Sequence, residues 1–121
     1  IVANENASDT LFSLGAAISG GFGNLCEGYL GDAATGLYKP AKVARFDAKN
    51  PHGVNPAGII LAAAKMLEYS FDKSLAKTAV ENAVEEVISQ NFVTHDMKNG
   101  RGETQKVIST EEFTDEVIKR L

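Results

Sequence analysis

The sequence predicts an α-rich α/β fold of about four helices with two or three short strands, in one domain spanning 1–121. Three observations predict it. Apolar residues recur at three and four residues over long stretches, each stretch following a residue suited to cap a helix. β-branched or aromatic residues cluster only in three-residue runs, at 1–3, 37–39 and 92–94. The length of 121 residues is one domain's worth of chain, since domains most often hold ~100–150 residues.

Ile1-Val2-Ala3, followed by the polar Asn4-Glu5-Asn6, reads as a strand leading into a helix cap. From Ser8 or Asp9, the residues Leu11, Leu14, Ala17 and Ile18 keep the helical period until Gly20-Gly21, which predicts a first helix over 9–19. Residues 20–36 hold six of the 11 glycines and read as a loop, with one extended piece at Gly36-Leu37-Tyr38. Residues 39–54 show neither period and read as a basic loop. Asn55-Pro56 starts a second helix, because asparagine accepts from orphan amides and a first-turn proline lacks only a donor that would go unused. Ile59, Ile60, Ala63, Met66, Leu67 and Ser70 form its expected face. A third helix starts at Asp72, with pairs Leu75/Ala76, Ala79/Val80, Ala83/Val84 and Val87/Ile88 repeating every four residues. Its alanines predict close packing against the second helix. Phe92-Val93-Thr94 reads as a brief strand and 98–102 as a polar turn. Ser109 with Glu112 forms a capping box, and Phe113, Val117, Ile118 and Leu121 give the fourth helix its apolar face. The strands have no obvious partners in the chain, so their edges are expected to be exposed.

Hydrophobic residues make up 44% of the chain and charged residues 23%, enough for a core and unlike a disordered segment. A net charge of -4 has the wrong sign for gripping a phosphate backbone, which argues against nucleic acid as a partner. The longest apolar run, 59–64, falls far below the ~18 residues that span a bilayer, so no membrane is expected. A lone Cys26 and no signal-peptide pattern fit an intracellular, reducing compartment, the cytoplasm or the mitochondrion. The chain starts at Ile1 rather than methionine, as a processed protein or a piece of a longer one would.

His52 and His95 stand at no ligand spacing with Cys26, so zinc is not expected, and Cys26 reads as a buried thiol. Ser13 and Ser19 lack a nucleophile-elbow context, and the glycines do not form a phosphate-binding motif after a strand. Lys39, Lys42, Arg45 and Lys49 place four cations within eleven residues of an acidic protein. They read either as a solvated loop or as an interaction site for an anionic partner. Lys77 four residues before Glu81 marks an exposed, self-paired helix face.

Several stretches are familiar in combination: Asn4 through Asp9; Gly20-Gly21-Phe22-Gly23; Leu37-Tyr38-Lys39-Pro40; Asn55-Pro56-Ala57 with Ile60 through Leu67; Val93-Thr94-His95-Asp96-Met97; and Thr110 through Val117. In this order and near this spacing, they resemble the C-terminal segment of the isocitrate/isopropylmalate dehydrogenase family over the whole chain. The fold implied is an incomplete remnant of that family's large domain.

The resemblance implies a metal position at two acids four residues apart in the first helix, which fall here on Asp9 and Ser13. One carboxylate remains, and a hard divalent cation loses charge it needs when an anion becomes a hydroxyl. Asp9 also reads simply as an acid favourable to a helix N-terminus. The family's adenosine loop, His-Gly-Ser-Ala-Pro-Asp, aligns with Lys42-Val43-Ala44-Arg45-Phe46-Asp47, which keeps only the aspartate. Asn55, which touches adenine in the family, is retained. Asp47 and Asn55 are therefore vestigial nucleotide positions and Asp9 a vestigial metal position, in the manner of the family's non-catalytic regulatory subunits. The catalytic lysine, tyrosine and substrate-clamping arginines fall outside this chain.

These readings lead to a non-catalytic protein without a cofactor. It would act by protein contact in a regulatory or inhibitory role, including one carried by a phage, with a homo-oligomer or protein partner covering the strand edges. The alternative is the C-terminal segment of an NAD(P)- and Mg/Mn-dependent dehydrogenase, active only with its N-terminal part.

Overall fold

A computed structural model describes residues 3–33, 35–41, 52–98 and 104–121. Helix α1 spans Glu5–Ile18, strand β1 Cys26–Leu30, β2 Gly36–Pro40, α2 Ala57–Tyr69, α3 Ser74–Ser89, β3 Phe92–Val93, β4 Lys106–Val107 and α4 Thr110–Ile118. Short 3-10 turns at Phe22–Asn24 and His95–Met97 lie between them. The α/β class with four helices and short strands is as expected. Ile1 and Val2 of the expected first strand lie outside the described residues, and Ala3 is in no strand.

Helix α1 starts four residues before the expected position, because Asn4 caps it by accepting from the Ala7 amide at 3.0 Å. With Asn4, Ser8 and Asp9 all competent caps, the sequence offered several starts. Residues 20–36, expected as a loop, contain β1, which pairs antiparallel with β2 from Cys26↔Pro40 to Leu30↔Gly36. Glycines at 28 and 31 hide this strand from a pattern reading. Expected as partnerless, Phe92–Val93 in fact pairs in parallel with β4, a strand that carries no pattern in the sequence. Two-residue strands carry too little alternation to be read, and the pairing is non-local. Its bonds run from the Lys106 amide to Asn91 and from the Ile108 amide to Val93, each 2.9 Å.

The core gathers Ala57, Ala83, Val84, Val87, Phe113 and Val117, with Ile60, Leu61, Ile88, Phe92 and Ile108 packed around it. The expected close packing of α2 on α3 is present, but the expected face of α2 goes inside only in part: Ile60 packs on the core and Leu67 and Ser70 are half-buried. Its buried residues are Ala57, Gly58, Ala62 and Ala64, while Ile59 and Met66 are exposed. A helix apolar almost all round has no face readable from sequence, and small residues win where backbones approach closely. At Gly58 a Cβ would lie 3.0 Å from the Leu25 carbonyl oxygen and 3.1 Å from that of Gly23.

Helix α3 begins at Ser74, and its first turns project outward, with Leu75 89% exposed. Asp72 just ahead takes a left-handed φ of 53° rather than serving as the cap. Lys65 and Lys77 alternate with Glu68 and Glu81 between α2 and α3, the tightest pair being Lys77 with Glu81 at 2.7 Å. The capping box of α4 forms as expected: Ser109 Oγ accepts from the Glu112 amide at 3.1 Å and Glu112 Oε2 from the Ser109 amide at 2.8 Å. Helix α1 packs mainly on the turn that follows it, with Phe12 and Phe22 rings 5.8 Å apart. Among its described side chains only Ala16 is buried, and Leu11, Leu14 and Ile18 face outward, the last 88% exposed.

Candidate functional site

The strap at residues 52–55, leading into α2, is held from two sides by residues distant in sequence. Thr110, the first residue of α4, accepts from the Val54 amide at 3.1 Å through its hydroxyl and donates to the Val54 carbonyl at 2.6 Å. Its own amide donates to the His52 carbonyl at 2.8 Å. On the other side, the Asp96 amide donates to the Gly53 carbonyl at 3.1 Å, and Asp96 Oδ2 accepts from the Asn55 amide at 3.0 Å. The remaining carboxylate oxygen of Asp96 accepts from the hydroxyl of Thr94, a fully buried residue, at 2.5 Å.

Asn55 is the hub of this arrangement. Its Oδ1 accepts from the Ala57 amide at 2.9 Å, which gives it the helix-starting role expected of it. Its Nδ2 donates to Asn24 Oδ1 at 2.8 Å, and Asn24 Nδ2 in turn donates to the Ser19 carbonyl at 3.2 Å. A polar chain therefore runs from the end of α1 through the start of α2 to Thr94. Asp96 and Thr110 stood in the sequence only as parts of wider motifs, and Asn24 carried no signal. Their contacts with the strap span 31 to 58 residues of chain.

Asp9 sits on exposed helix α1 and, with Phe12, Cys26, Glu27 and Tyr29, lines an open cavity of about 410 Å³. Ser13, one turn on, turns its hydroxyl back to the Asp9 carbonyl at 2.8 Å. Glu27 is engaged elsewhere, by Lys39 across the hairpin at 2.7 Å and by the Tyr29 hydroxyl at 2.8 Å. Those two hydrogen bonds hold its carboxyl below the usual range. Among the described residues, no three His, Cys, Asp or Glu side chains gather as metal ligands. Asp9, with one hydroxyl already satisfied beside it, does not by itself fit a hard divalent cation.

Lys39 is thus paired within the hairpin rather than free, and Glu27 raises its ammonium above the ordinary lysine range. Lys42, Arg45, Asp47 and Lys49 lie outside the described residues. Cys26 is partly buried, and burial pushes its thiol up, against Lys65 and together with Glu81. A raised pKa disfavours the thiolate, as expected of a structural cysteine. His95 is exposed in its turn, and His52 Nδ1 lies 2.7 Å from Glu111 Oε1 at the surface. No helix among the described residues is long and apolar enough to cross a membrane.

Comparison with known proteins adds the wider frame. The family model for isocitrate/isopropylmalate dehydrogenase matches residues 1–117. The 3-isopropylmalate dehydrogenase of Heyndrickxia coagulans is 34% identical over 122 residues, covering all of this chain and 32% of that protein. That of Rhodopirellula baltica is 34% identical over 121 residues, covering all of this chain and 33% of that protein. Among solved structures, isocitrate dehydrogenase from Methylococcus capsulatus superposes with a TM-score of 0.74 at 27% identity, covering 93% of this chain and 31% of that one. The chain spans about a third of the length of the relatives it matches.

Proposed function

The chain belongs to the isocitrate/isopropylmalate dehydrogenase family, and from that premise we propose that it is the C-terminal part of an NAD(P)-dependent dehydrogenase of the 3-isopropylmalate type, inactive without the rest of that protein. The observation that carries this reading is the match of the whole chain to only about a third of each 3-isopropylmalate dehydrogenase. The uncovered apolar side chains support it. Leu11, Leu14 and Ile18 on α1, Ile59, Met66 and Tyr69 on α2, and Leu75 on α3 are all exposed, apolar groups that further chain could cover.

In this reading the chain supplies binding groups and no reacting ones. Asn55 contacts the base of the nucleotide, and Asp9 supplies one carboxylate to a metal site completed by residues from elsewhere. NAD(P) accepts hydride when bound; this chain's part is to hold the base end of it through the strap that Asp96 and Thr110 fix.

A second reading is a contact protein of regulatory or inhibitory kind, and one observation favours it. Ser13 replaces an acid at the metal position and spends its hydroxyl on the helix backbone. Both readings place a protein surface over the exposed apolar groups and the outer strand edges. They separate on the size of the native polypeptide. Antibody raised against this chain should detect a band near three times its 12.9 kDa mass in the source cells. That longer protein should reduce NAD(P) in the presence of 3-isopropylmalate and Mn²⁺. A native band at 12.9 kDa, or a longer protein without activity, would replace this reading with the contact-protein one.

A further inference from the structure

We propose that Asn24 is a positioning residue for Asn55: it fixes which face of the Asn55 carboxamide a nucleotide base meets. The inference rests on the nucleotide-contact reading of Asn55 given above.

The orientation of an asparagine amide is ambiguous when its neighbours are themselves amides or hydroxyls, which both donate and accept. Here the chain of bonds is pinned at both ends by backbone groups of fixed polarity. The Ala57 N–H can only donate, so Asn55 presents Oδ1 to it at 2.9 Å. The Ser19 carbonyl can only accept, so Asn24 presents Nδ2 to it at 3.2 Å. What remains between them is Asn24 Oδ1 facing Asn55 Nδ2, the 2.8 Å bond observed. Neither amide can flip without setting two donors or two acceptors against each other. Among the described residues, only Asn24 accepts from Asn55 Nδ2, and the second Nδ2 proton suits a ring nitrogen such as those of a purine.

Gly23 adds a steric element. A Cβ at this position would lie 3.0 Å from Asn55 Nδ2, so the backbone there closes against the amide nitrogen and helps confine it. Asn24 and Asn55 are both half-buried, which keeps their mutual bond from being exchanged freely for water. Without Asn24, the Asn55 side chain would be held at Oδ1 alone and its nitrogen would have to find water. The capping bond to Ala57 would remain, so the start of α2 would not depend on Asn24. Positioning of the amide and stability of the helix are thereby separable.

The test uses the 121-residue chain with ¹⁵N labelling and adenosine monophosphate as the probe. In the wild type, the Asn55 Nδ2 proton that bonds Asn24 should exchange slowly with solvent, and the probe should shift both Nδ2 protons. Asn24→Leu should abolish that slow exchange and weaken the probe about tenfold, the effect of one lost hydrogen bond. Backbone amide signals of α2 should stay in place. Asn24→Asp keeps the acceptor toward Asn55 but sets a carboxylate oxygen against the Ser19 carbonyl, so it should retain the Asn55 signature at some cost in stability, and it serves even if Asn24→Leu folds poorly. Wild-type probe affinity in Asn24→Leu, or a melting point lowered with affinity unchanged, would overturn the positioning role. A wild type whose Asn55 amide is held as described but ignores the probe would overturn the nucleotide contact itself, and the proposal with it.

Discussion

Replacing Thr110 by valine removes a hydroxyl and leaves the side-chain shape nearly unchanged, which isolates what fastens the strap to α4. The hydroxyl accepts from the Val54 amide at 3.1 Å and donates to the Val54 carbonyl at 2.6 Å, with the His52 carbonyl also near at 3.0 Å. A hydroxyl has one proton, so the 2.6 Å bond is the main donation. In the variant the His52 carbonyl keeps its bond from the Thr110 backbone amide, while both polar groups of Val54 lose their partner. A buried donor left unsatisfied costs ~1–3 kcal/mol. Val54 is half-buried, so water recovers part of this and the cost should be about 1–2 kcal/mol. For a chain of this size the melting point should fall by roughly 4–8 °C. Thr110→Ser, which keeps the hydroxyl, should lose less than half as much. Thermal unfolding by circular dichroism measures the first quantity, and hydrogen exchange at the Val54 amide reports the local event. A valine variant as stable as the wild type, or a serine variant equally damaged, would refute the claim that this hydroxyl holds the strap.

Three further outcomes follow from the same structure. Phe113 is fully buried at the centre of the core, so Phe113→Ala should cost about 3–5 kcal/mol, much of the stability of a typical domain, and cooperative unfolding should be lost. Gly58→Ala should destabilise by about 1–3 kcal/mol although alanine favours helices by about 1 kcal/mol, because the new Cβ meets the Leu25 and Gly23 carbonyls; a stabilised variant in urea titration would contradict the close approach. Burial pushes the Glu81 carboxyl up, but the Lys77 hydrogen bond and the Lys65 charge outweigh it and leave it below its ordinary value of 4.5. Its contribution is therefore present above about pH 4.5 and lost as pH falls through the lowered folded value. Wild-type stability should drop more steeply than that of Glu81→Gln below about pH 4.5, by ~1 kcal/mol or less for a half-buried pair still screened by solvent. Parallel pH profiles would show that the pair contributes nothing.

What the sequence determined by itself was local. The Ser109 to Glu112 capping box and the helix start at Asn55 each rest on side chains that meet backbone within four residues, and such contacts survive in any tertiary setting; the α/β class rests on the local period of the apolar residues. The order of motifs from Asn4 to Val117 placed the chain in its family for a similar reason, since it needs residue identity and spacing alone. The tertiary structure decided the rest. It selected the alanine face of α2 over the bulkier one, because only small residues let the helix approach the Leu25 and Gly23 carbonyls. It paired Phe92–Val93 with Lys106–Val107, a strand too short to show alternation. It also joined Asn24 and Asp96 to Asn55 across 31 and 41 residues of chain, where no local pattern encodes the meeting. Hydrogen bonds between distant polar groups and the choice of which apolar face goes inside are set by what the folded chain brings within reach.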